Sequence, residues 1–194
     1  AAGEVVEGPS SIVKELIENS LDAGSSEILI VVEKGGQGLI QVRDNGKGIA
    51  PEELSLSILR FHTSKINSVE DLFSIETLGF RGEALSSISS VSEMSIISSC
   101  GNNDGAELKM LKGNPGSIQP AASINGTEIT IRNLFYNTPA RRKFLKTPRT
   151  ELRKVVDVVR RYGLAFPEVQ FKLMPLSSVT KSPVILPFAL CNHK

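Results

Sequence analysis

The chain has 194 residues, 40% of them hydrophobic, and a formal net charge of +1. This size and composition are typical of one globular domain that buries a core. With only two cysteines, Cys100 and Cys191, the sequence excludes a disulfide scaffold or a cysteine-based zinc site and favours a reducing compartment. No apolar run reaches the roughly 18 residues of a membrane span, and no signal peptide is recognisable, so we expect an intracellular protein. Because the first residue is Ala1 rather than Met, we also expect a fragment of a longer chain.

The first half of the chain is predicted to contain two helices around two strands. The first helix begins at Pro9 and ends before Gly24. Proline is common in the first helical turn, glycine is a common stop, and the apolar residues between them share one helical face. Residues 27–36 and 39–45 are predicted strands joined at a Gly-Gly pair. A second amphipathic helix is predicted over residues 51–62, opened by a proline.

The later half is predicted to contain two helices and four strands. A glycine-punctuated loop leads into a helix that begins near Glu83. A helix of about five turns over residues 147–166 is closed by Gly163 and Pro167. The predicted strands lie over residues 92–99, 105–111, 126–135 and 168–174. Short turns between consecutive strands favour a mixed, largely antiparallel sheet with helices on one face, an α/β (α+β) two-layer sandwich.

The first helix carries a polar face that has two interpretations. Glu15, Asn19 and Asp22 lie at i, i+4 and i+7 and therefore share a face, which Glu18 borders. The plain interpretation is a solvated helix face. The alternative is a site in which the amide oxygen ligates Mg²⁺ and the carboxylate orients or deprotonates an attacking water.

Residues 41–50, QVRDNGKGIA, also have two interpretations. The Asn45-Gly46 pair after an alternating strand is typical of a hairpin turn. A hairpin explains neither Asp44 at its entrance nor Gly48 at its exit. The alternative is a turn whose backbone approaches a ligand closely and whose carboxylate binds a hydrogen-bond donor.

Two further segments carry weaker signals. In TLGFRGEALSSI, Gly79 and Gly82 precede a helix, whose free N–H groups could bind an anion; the alternative is an ordinary capped loop. The segment matches neither the P-loop nor a dinucleotide fingerprint. HTSKI, residues 62–66, has two hydroxyls and a lysine, and by itself it is typical of a helix end.

Taken together, these motifs resemble a known family. KELIENSLDAG, DNGKGI, HTSKI and LGFRGEALSSISSV, in this order, resemble the N-terminal ATPase domain of the MutL mismatch-repair family. That family belongs to the GHKL superfamily, with gyrase B, the large heat-shock chaperones and histidine kinases. AAGEVVE and NLFYNTPARRKFL are typical of the MutL branch. The resemblance covers residues 1–175, which we expect to form a GHKL ATPase domain, and leaves the tail at 176–194 unassigned.

The resemblance implies a site for ATP and Mg²⁺. It assigns Glu15 as the general base for hydrolysis, Asn19 as the Mg²⁺ ligand, and Asp44 as the acceptor of a hydrogen bond from the adenine amino group. Asp22 is expected to be structural. The remaining implied nucleotide contacts are Gly46, Gly48, Thr63, Ser64, Lys65, Gly79, Phe80, Arg81, Gly82, Glu83, Ala84, Leu85 and Thr127.

Charge is concentrated between residues 141 and 161. This segment has nine basic and two acidic residues, a net charge of +7, which leaves −6 for the rest of the chain. The plain interpretation is a solvated helix; the alternative is a surface for the DNA backbone, which the MutL resemblance favours. The candidate DNA-binding residues are Arg141, Arg142, Lys143, Arg149 and Arg153.

The expected function is an ATP-hydrolysing switch in DNA mismatch repair. Lid closure would promote dimerisation and relay mismatch recognition from the recognition protein to a downstream nuclease or helicase, in the bacterial cytoplasm or a nucleus. In the family a second domain adds a lysine at the terminal phosphate, so slow hydrolysis is expected from this chain alone. The alternatives are a chaperone of the same superfamily and a non-catalytic nucleotide-binding scaffold. A sensor kinase is disfavoured because neither His62 nor His193 fits a phospho-acceptor.

Overall fold

The structure is a computed structural model that describes residues 6–58, 83–101 and 104–176. Its helices are α1 (Pro9–Asp22), α2 (Pro51–Leu54), α3 (Ala84–Ser90), α4 (Pro139–Phe144) and α5 (Pro148–Ala165). Its strands are β1 (Glu27–Glu33), β2 (Leu39–Asp44), β3 (Glu93–Ser99), β4 (Gly105–Leu111), β5 (Asn114–Pro115), β6 (Gln119–Ala121), β7 (Gly126–Arg132) and β8 (Gln170–Leu176).

The strands form one mixed sheet in the order β5-β4-β3-β7-β2-β1-β8, and β6 also pairs with β4. Every described pair is antiparallel except β1 with β8, which is parallel. The parallel pair brings the last strand beside the first, so most of the chain lies between two neighbouring strands. The predicted fold class, a largely antiparallel mixed sheet, is therefore confirmed.

The core lies between one face of the sheet and the two long helices. In β1 the buried residues Ile28, Ile30 and Val32 alternate, which directs them to the same face. α1 contacts α5 and β2, and α5 contacts β8. The opposite face is more polar, where Gln41 Nε2 donates to Glu128 Oε1 across β2 and β7. Glu15, Asn19 and Asp22 of α1 are partly exposed among the described residues, so this side of the helix is available for a site.

One predicted helix boundary and one predicted stop signal are wrong, whereas the long helix predicted over 147–166 is confirmed within one residue at each end. The helix predicted over 51–62 ends at Leu54 and is followed by a 3₁₀ turn, Leu56–Ile58. The Ser57 hydroxyl donates to the Leu54 carbonyl at 2.7 Å, a local hydrogen bond that competes with the helical ladder. Gly163 is not a stop, because it is buried within α5, which continues to Ala165. The helix ends there because Pro167 disfavours helical geometry at Phe166.

Three short elements were missed, namely α4, β5 and β6. Thr138 followed by Pro139 is typical of a helix start, so α4 had a readable signal. β5 and β6 are only two and three residues long, too short for a period-two pattern. Among the described residues, no helix is long and apolar enough to cross a membrane.

Candidate functional site

Asp44, at the end of β2, is the centre of the candidate site. Its side chain is 8% exposed and accepts three hydrogen bonds. Oδ1 accepts from the backbone N–H of Gly46 at 2.9 Å and of Thr127 at 3.3 Å. Oδ2 accepts from the Ser20 hydroxyl of α1 at 2.9 Å. The carboxylate therefore joins the end of β2 to α1 and β7.

The environment of Asp44 is costly for a carboxylate. Burial raises its pKa above the ordinary value, and the hydrogen bonds from Gly46, Ser20 and Thr127 offset only part of that shift. Within the described residues Asp44 is not in an ion pair, and a buried carboxylate without a cation is uncommon in a structural core. A raised pKa in a polar recess is a feature of functional sites, which supports a binding role for Asp44.

The turn after Asp44 is not a hairpin. β2 pairs with β1 and β7, and the chain continues into α2 rather than into a returning strand. The Asn45 side chain instead accepts from the backbone N–H groups of Ser26 and Glu27, both at 2.9 Å. Asn45 thus fixes the turn to the start of β1, and the hairpin interpretation is wrong.

Both glycines of the turn are required by close packing within the protein. A Cβ on Gly46 would lie 2.8 Å from the carbonyl oxygen of Ala23, and Lys47 N donates to the same carbonyl at 3.0 Å. Gly48 has a φ of +71°, and a Cβ there would overlap the Ser99 carbonyl. These contacts hold the turn between the end of α1 and the end of β3. Their predicted closeness to nucleotide stays a prediction.

Thr127 connects Asp44 to the neighbouring strand β3. Besides the N–H that points at Asp44, its hydroxyl lies 2.8 Å from the Ser98 hydroxyl. Ser98 also accepts from the backbone N–H of Ile49 at 2.8 Å. This buried chain of hydroxyls ties the turn to the sheet, so Asp44, Gly48 and Thr127 form one rigid group.

The start of α3 reaches this group indirectly. α3 packs on β3, whose last residues contact Thr127 and Gly48. The predicted helix start near Glu83 is confirmed, and Glu83 makes no side-chain cap, although its carbonyl accepts from Ser87 N at 2.9 Å. The nucleotide contacts expected of Glu83, Ala84 and Leu85 stay predictions.

The polar face of α1 is partly exposed at the residues that are predicted to form the site. Glu15, Asn19 and Asp22 are all partly accessible, whereas Glu18 is 7% exposed. Glu15 and Asn19 are one helical turn apart, and Asn19 precedes Ser20, the residue that donates to Asp44. α1 therefore carries the predicted base and the predicted metal ligand on the helix that is hydrogen-bonded to Asp44 through Ser20.

Several predicted nucleotide contacts lie outside the described residues. They are Thr63, Ser64, Lys65, Gly79, Phe80, Arg81 and Gly82.

Two cavities in the described part of the chain are lined by residues other than Asp44. One of about 470 Å³ is lined by Gly101, which follows β3, and by three residues of the β6–β7 connection, Ser123, Ile124 and Asn125. The other, about 240 Å³, is a groove between α1 and α5 lined by Lys14, Val158, Arg161, Tyr162 and Ala165. Hydrogen-bond geometry, rather than cavity size, locates the candidate site.

The basic segment is largely exposed. Arg142, Lys143, Arg149 and Arg153 are exposed on α4 and α5, and the guanidinium of Arg141 lies 5.9 Å from the centre of the Phe135 ring. Glu151 is 2% exposed and accepts from Lys146 N at 2.9 Å and Lys154 Nζ at 3.1 Å. Because one of its two acids is turned inward, the surface of this segment is positive.

This geometry agrees with the comparison to known families. The model of the histidine kinase-, DNA gyrase B- and HSP90-like ATPases matches residues 7–115, which include α1, Asp44 and the turn glycines. The chain therefore belongs to this ATPase family.

Within the family, the chain belongs to the MutL branch, which confirms the resemblance seen in the motifs. It is 52% identical to the DNA mismatch repair protein MutL of Lactococcus lactis over 175 residues, 90% of this chain and 27% of that protein. It is 54% identical over 175 residues to MutL of Histophilus somni. The chain thus spans about a quarter of the length of these relatives.

Solved structures show the same relationship. The Aquifex aeolicus MutL ATPase domain complexed with ADP has a TM-score of 0.69 and 37% identity over 88% of this chain and 61% of that one. The N-terminal domain of a DNA repair protein has a TM-score of 0.78 and 28% identity over 93% of this chain and 52% of that one.

Two supporting residues were missed from the sequence. Ser20 lies on the buried face of α1, where apolar residues are expected, and it donates to Asp44. A serine in an otherwise apolar stripe was a readable signal. Ser98, which contacts Thr127 and Ile49, lies in a serine-rich strand and had no such signal.

Proposed function

We propose that the described domain binds ATP and hydrolyses it with Mg²⁺, as part of a DNA mismatch repair switch. The observation that carries this proposal is the buried Asp44, held by Ser20, Gly46 and Thr127. The adenine amino group is a hydrogen-bond donor, and a carboxylate is the side chain that only accepts. Asp44 would recognise the base, with Gly46, Gly48 and Thr127 around it.

The proposed general base lies on the partly exposed polar face of α1. Glu15 would act as the general base for water, since a partly accessible carboxylate can accept its proton. The predicted lid and phosphate contacts, from Thr63 to Leu85, would complete the site. They require no nucleophilic side chain, because phosphoryl transfer depends on positioning and charge neutralisation.

The described residues fit Mg²⁺ in its nucleotide-bound form. They contain no cluster of three or more His, Cys, Asp or Glu that could hold a metal alone. Mg²⁺ bound with nucleotide needs only one or two protein oxygens and keeps its waters and the substrate phosphates. The amide oxygen of Asn19 would be the protein ligand, and the ion would neutralise phosphate charge.

Removing Mg²⁺ is expected to stop ATP turnover. Phosphate release should fall to background with excess chelator and return when Mg²⁺ is restored, because the phosphate charge is no longer neutralised. The measurement is phosphate release by the full-length protein at saturating ATP. Turnover that persists at full rate in chelator would contradict the Mg²⁺ dependence, whereas no turnover with Mg²⁺ present would favour the non-catalytic scaffold.

The positive surface would contact the DNA backbone. Arg142, Lys143, Arg149 and Arg153 are exposed, and Arg149 and Arg153 lie one helical turn apart on α5. Lysine and arginine on one surface bind phosphates without reading sequence. Arg141 would contribute less, because it packs over Phe135.

Replacing Arg142 and Arg149 by alanine is expected to weaken DNA binding and its salt dependence. Loss of two phosphate contacts should lower the slope of log affinity against log salt by about two. The measurement is a titration of duplex DNA at several salt concentrations. The control is R132A/K109A, which removes the same charge from exposed strand positions. Equal losses in both variants would mean that net charge, and not this surface, determines binding.

The wider role follows from the MutL branch. Lid closure on ATP would promote dimerisation, and the dimer would relay mismatch recognition to a nuclease or helicase inside the cell. Residues 1–175 would be the ATPase domain of this longer protein. The chaperone alternative has the same nucleotide pocket but no need for a DNA-binding surface, so the DNA titration distinguishes the two.

A further inference from the structure

A polar network joins α1 to α5 next to the predicted general base. Lys14 Nζ lies 2.8 Å from Glu18 Oε2 and 3.5 Å from Glu15 Oε1. The Tyr162 hydroxyl of α5 donates to the other oxygen, Oε1, of Glu18 at 2.5 Å. Lys14, Glu18 and Tyr162 are called the clamp below.

The buried member of the clamp is Glu18, and its hydrogen bonds hold the other two residues in place. Glu18 is 7% exposed, so its carboxylate depends on donors from the protein, and among the described residues these are Lys14 and Tyr162. Burial raises the pKa of the Tyr162 hydroxyl, and its bond to Glu18 raises it further, so the hydroxyl stays protonated and donates.

The lysine remains charged between its two carboxylates. Burial lowers the pKa of Lys14, but its hydrogen bond to Glu18 and the charge of Glu15 outweigh this, and the pKa is raised overall. Because Glu18 fixes the ammonium group, Lys14 presents a cation to Glu15 from a defined side. Of the two carboxylates, only Glu15 is partly accessible to a substrate.

We propose that the clamp positions the Glu15 carboxylate for catalysis, with Lys14 and Tyr162 as positioning residues. This inference rests on the proposed role of Glu15 as general base. A freely rotating glutamate samples several rotamers, and a fixed ammonium group beside one oxygen restricts them. The other oxygen is then directed away from the clamp toward the open side of the face. Loss of such positioning lowers the rate of the chemical step without changing how the nucleotide binds.

The test is steady-state and single-turnover ATP hydrolysis by the full-length protein. The variants are K14M, which removes the ammonium group; K14R, which keeps a cation; Y162F, which removes one donor to Glu18; and K14M combined with E15Q. The matched control is K172M, because Lys172 and Glu27 form an exposed pair with the same 3.5 Å separation on the edge strand β8.

K14M is expected to lower kcat roughly tenfold with an unchanged KM. K14R should recover most of the loss, Y162F should show a smaller decrease, and K172M should match the wild type. In the E15Q background K14M should cause no further loss, since a residue that acts through Glu15 has nothing left to position. A merely structural role would lower the melting temperature and would not show this dependence on Glu15.

Three results would overturn the inference. A wild-type kcat for K14M, together with an inactive E15Q, would contradict the positioning role of the clamp but not the proposed ATPase function. An equal loss from K14M in both backgrounds means that Lys14 does not act through Glu15. A wild-type kcat for E15Q would contradict the assignment of Glu15 as general base. The positioning role of the clamp, which rests on that assignment, would then be contradicted as well.

Discussion

Replacing Asp44 by asparagine is expected to weaken ATP binding about 100-fold while the domain stays folded. Asparagine has the same shape as aspartate, and the existing hydrogen-bond donors determine which amide atom occupies the Oδ1 position. The N–H groups of Gly46 and Thr127 both point at Oδ1, so the amide oxygen must occupy that position. The amide nitrogen then takes the place of Oδ2 beside Ser20, whose hydroxyl also lies 3.0 Å from the Leu16 carbonyl and can donate there instead.

In that orientation the amide keeps its hydrogen bonds within the protein but disfavours nucleotide binding. The adenine amino group would meet an N–H donor where it needs an acceptor. Loss of a hydrogen bond to a charged group costs about 1.5–3 kcal/mol, so affinity should fall about 100-fold once the unmatched donors are included. Because burial raises the pKa of Asp44, removing its charge should not destabilise the domain at neutral pH.

The measurement is calorimetric titration of ATP and ADP, with thermal unfolding of the same samples. The control is D157N, the same change at an exposed position of α5. Wild-type affinity should also fall on acidification at a pH where exposed aspartates are still ionised, because protonation of Asp44 removes an acceptor and its raised pKa moves that step upward. ATP binding by D44N at wild-type affinity would refute the adenine assignment.

The helical periodicity predicted the arrangement of α1 better than the turn propensity predicted the path of the chain after β2. The periodicity of α1 places Glu15 and Asn19 on one face, and the structure has that face open. The asparagine-glycine pair instead favoured a hairpin, because turn propensity contains no information about which strand comes next. Strand order depends on long-range pairing, such as β2 with β7, which no short window can contain.

The errors have specific physical causes. α2 ends at Leu54, whose carbonyl accepts from the Ser57 hydroxyl, and a three-residue 3₁₀ turn follows it. Gly163 remains helical because α5 buries it against the core, so packing outweighs its intrinsic preference. Ser20 and Tyr162 contribute through partners 24 and 144 residues away, and such contacts exist only once the chain is folded.

Replacing Glu15 by glutamine is expected to stop ATP turnover and spare ATP binding. The amide has the size of the carboxylate but cannot accept the proton of the attacking water. General-base catalysis contributes about 10²- to 10⁴-fold, so kcat should fall by at least about 100-fold. Binding should stay within about twofold, because the adenine contacts at Asp44 are unchanged and a group that acts only in the transition state does not contribute to ground-state affinity.

The measurement pairs phosphate release with nucleotide titration on the same full-length protein, and the control is E168Q, an exposed glutamate in the turn before β8. The two site variants then separate the two halves of the proposed site. D44N should lose binding and therefore turnover at ordinary ATP concentrations, whereas E15Q should bind and not turn over. If E15Q instead lost binding, Glu15 would be holding the nucleotide or its metal ion. Unchanged turnover in E15Q would assign the proton of the attacking water to another acceptor.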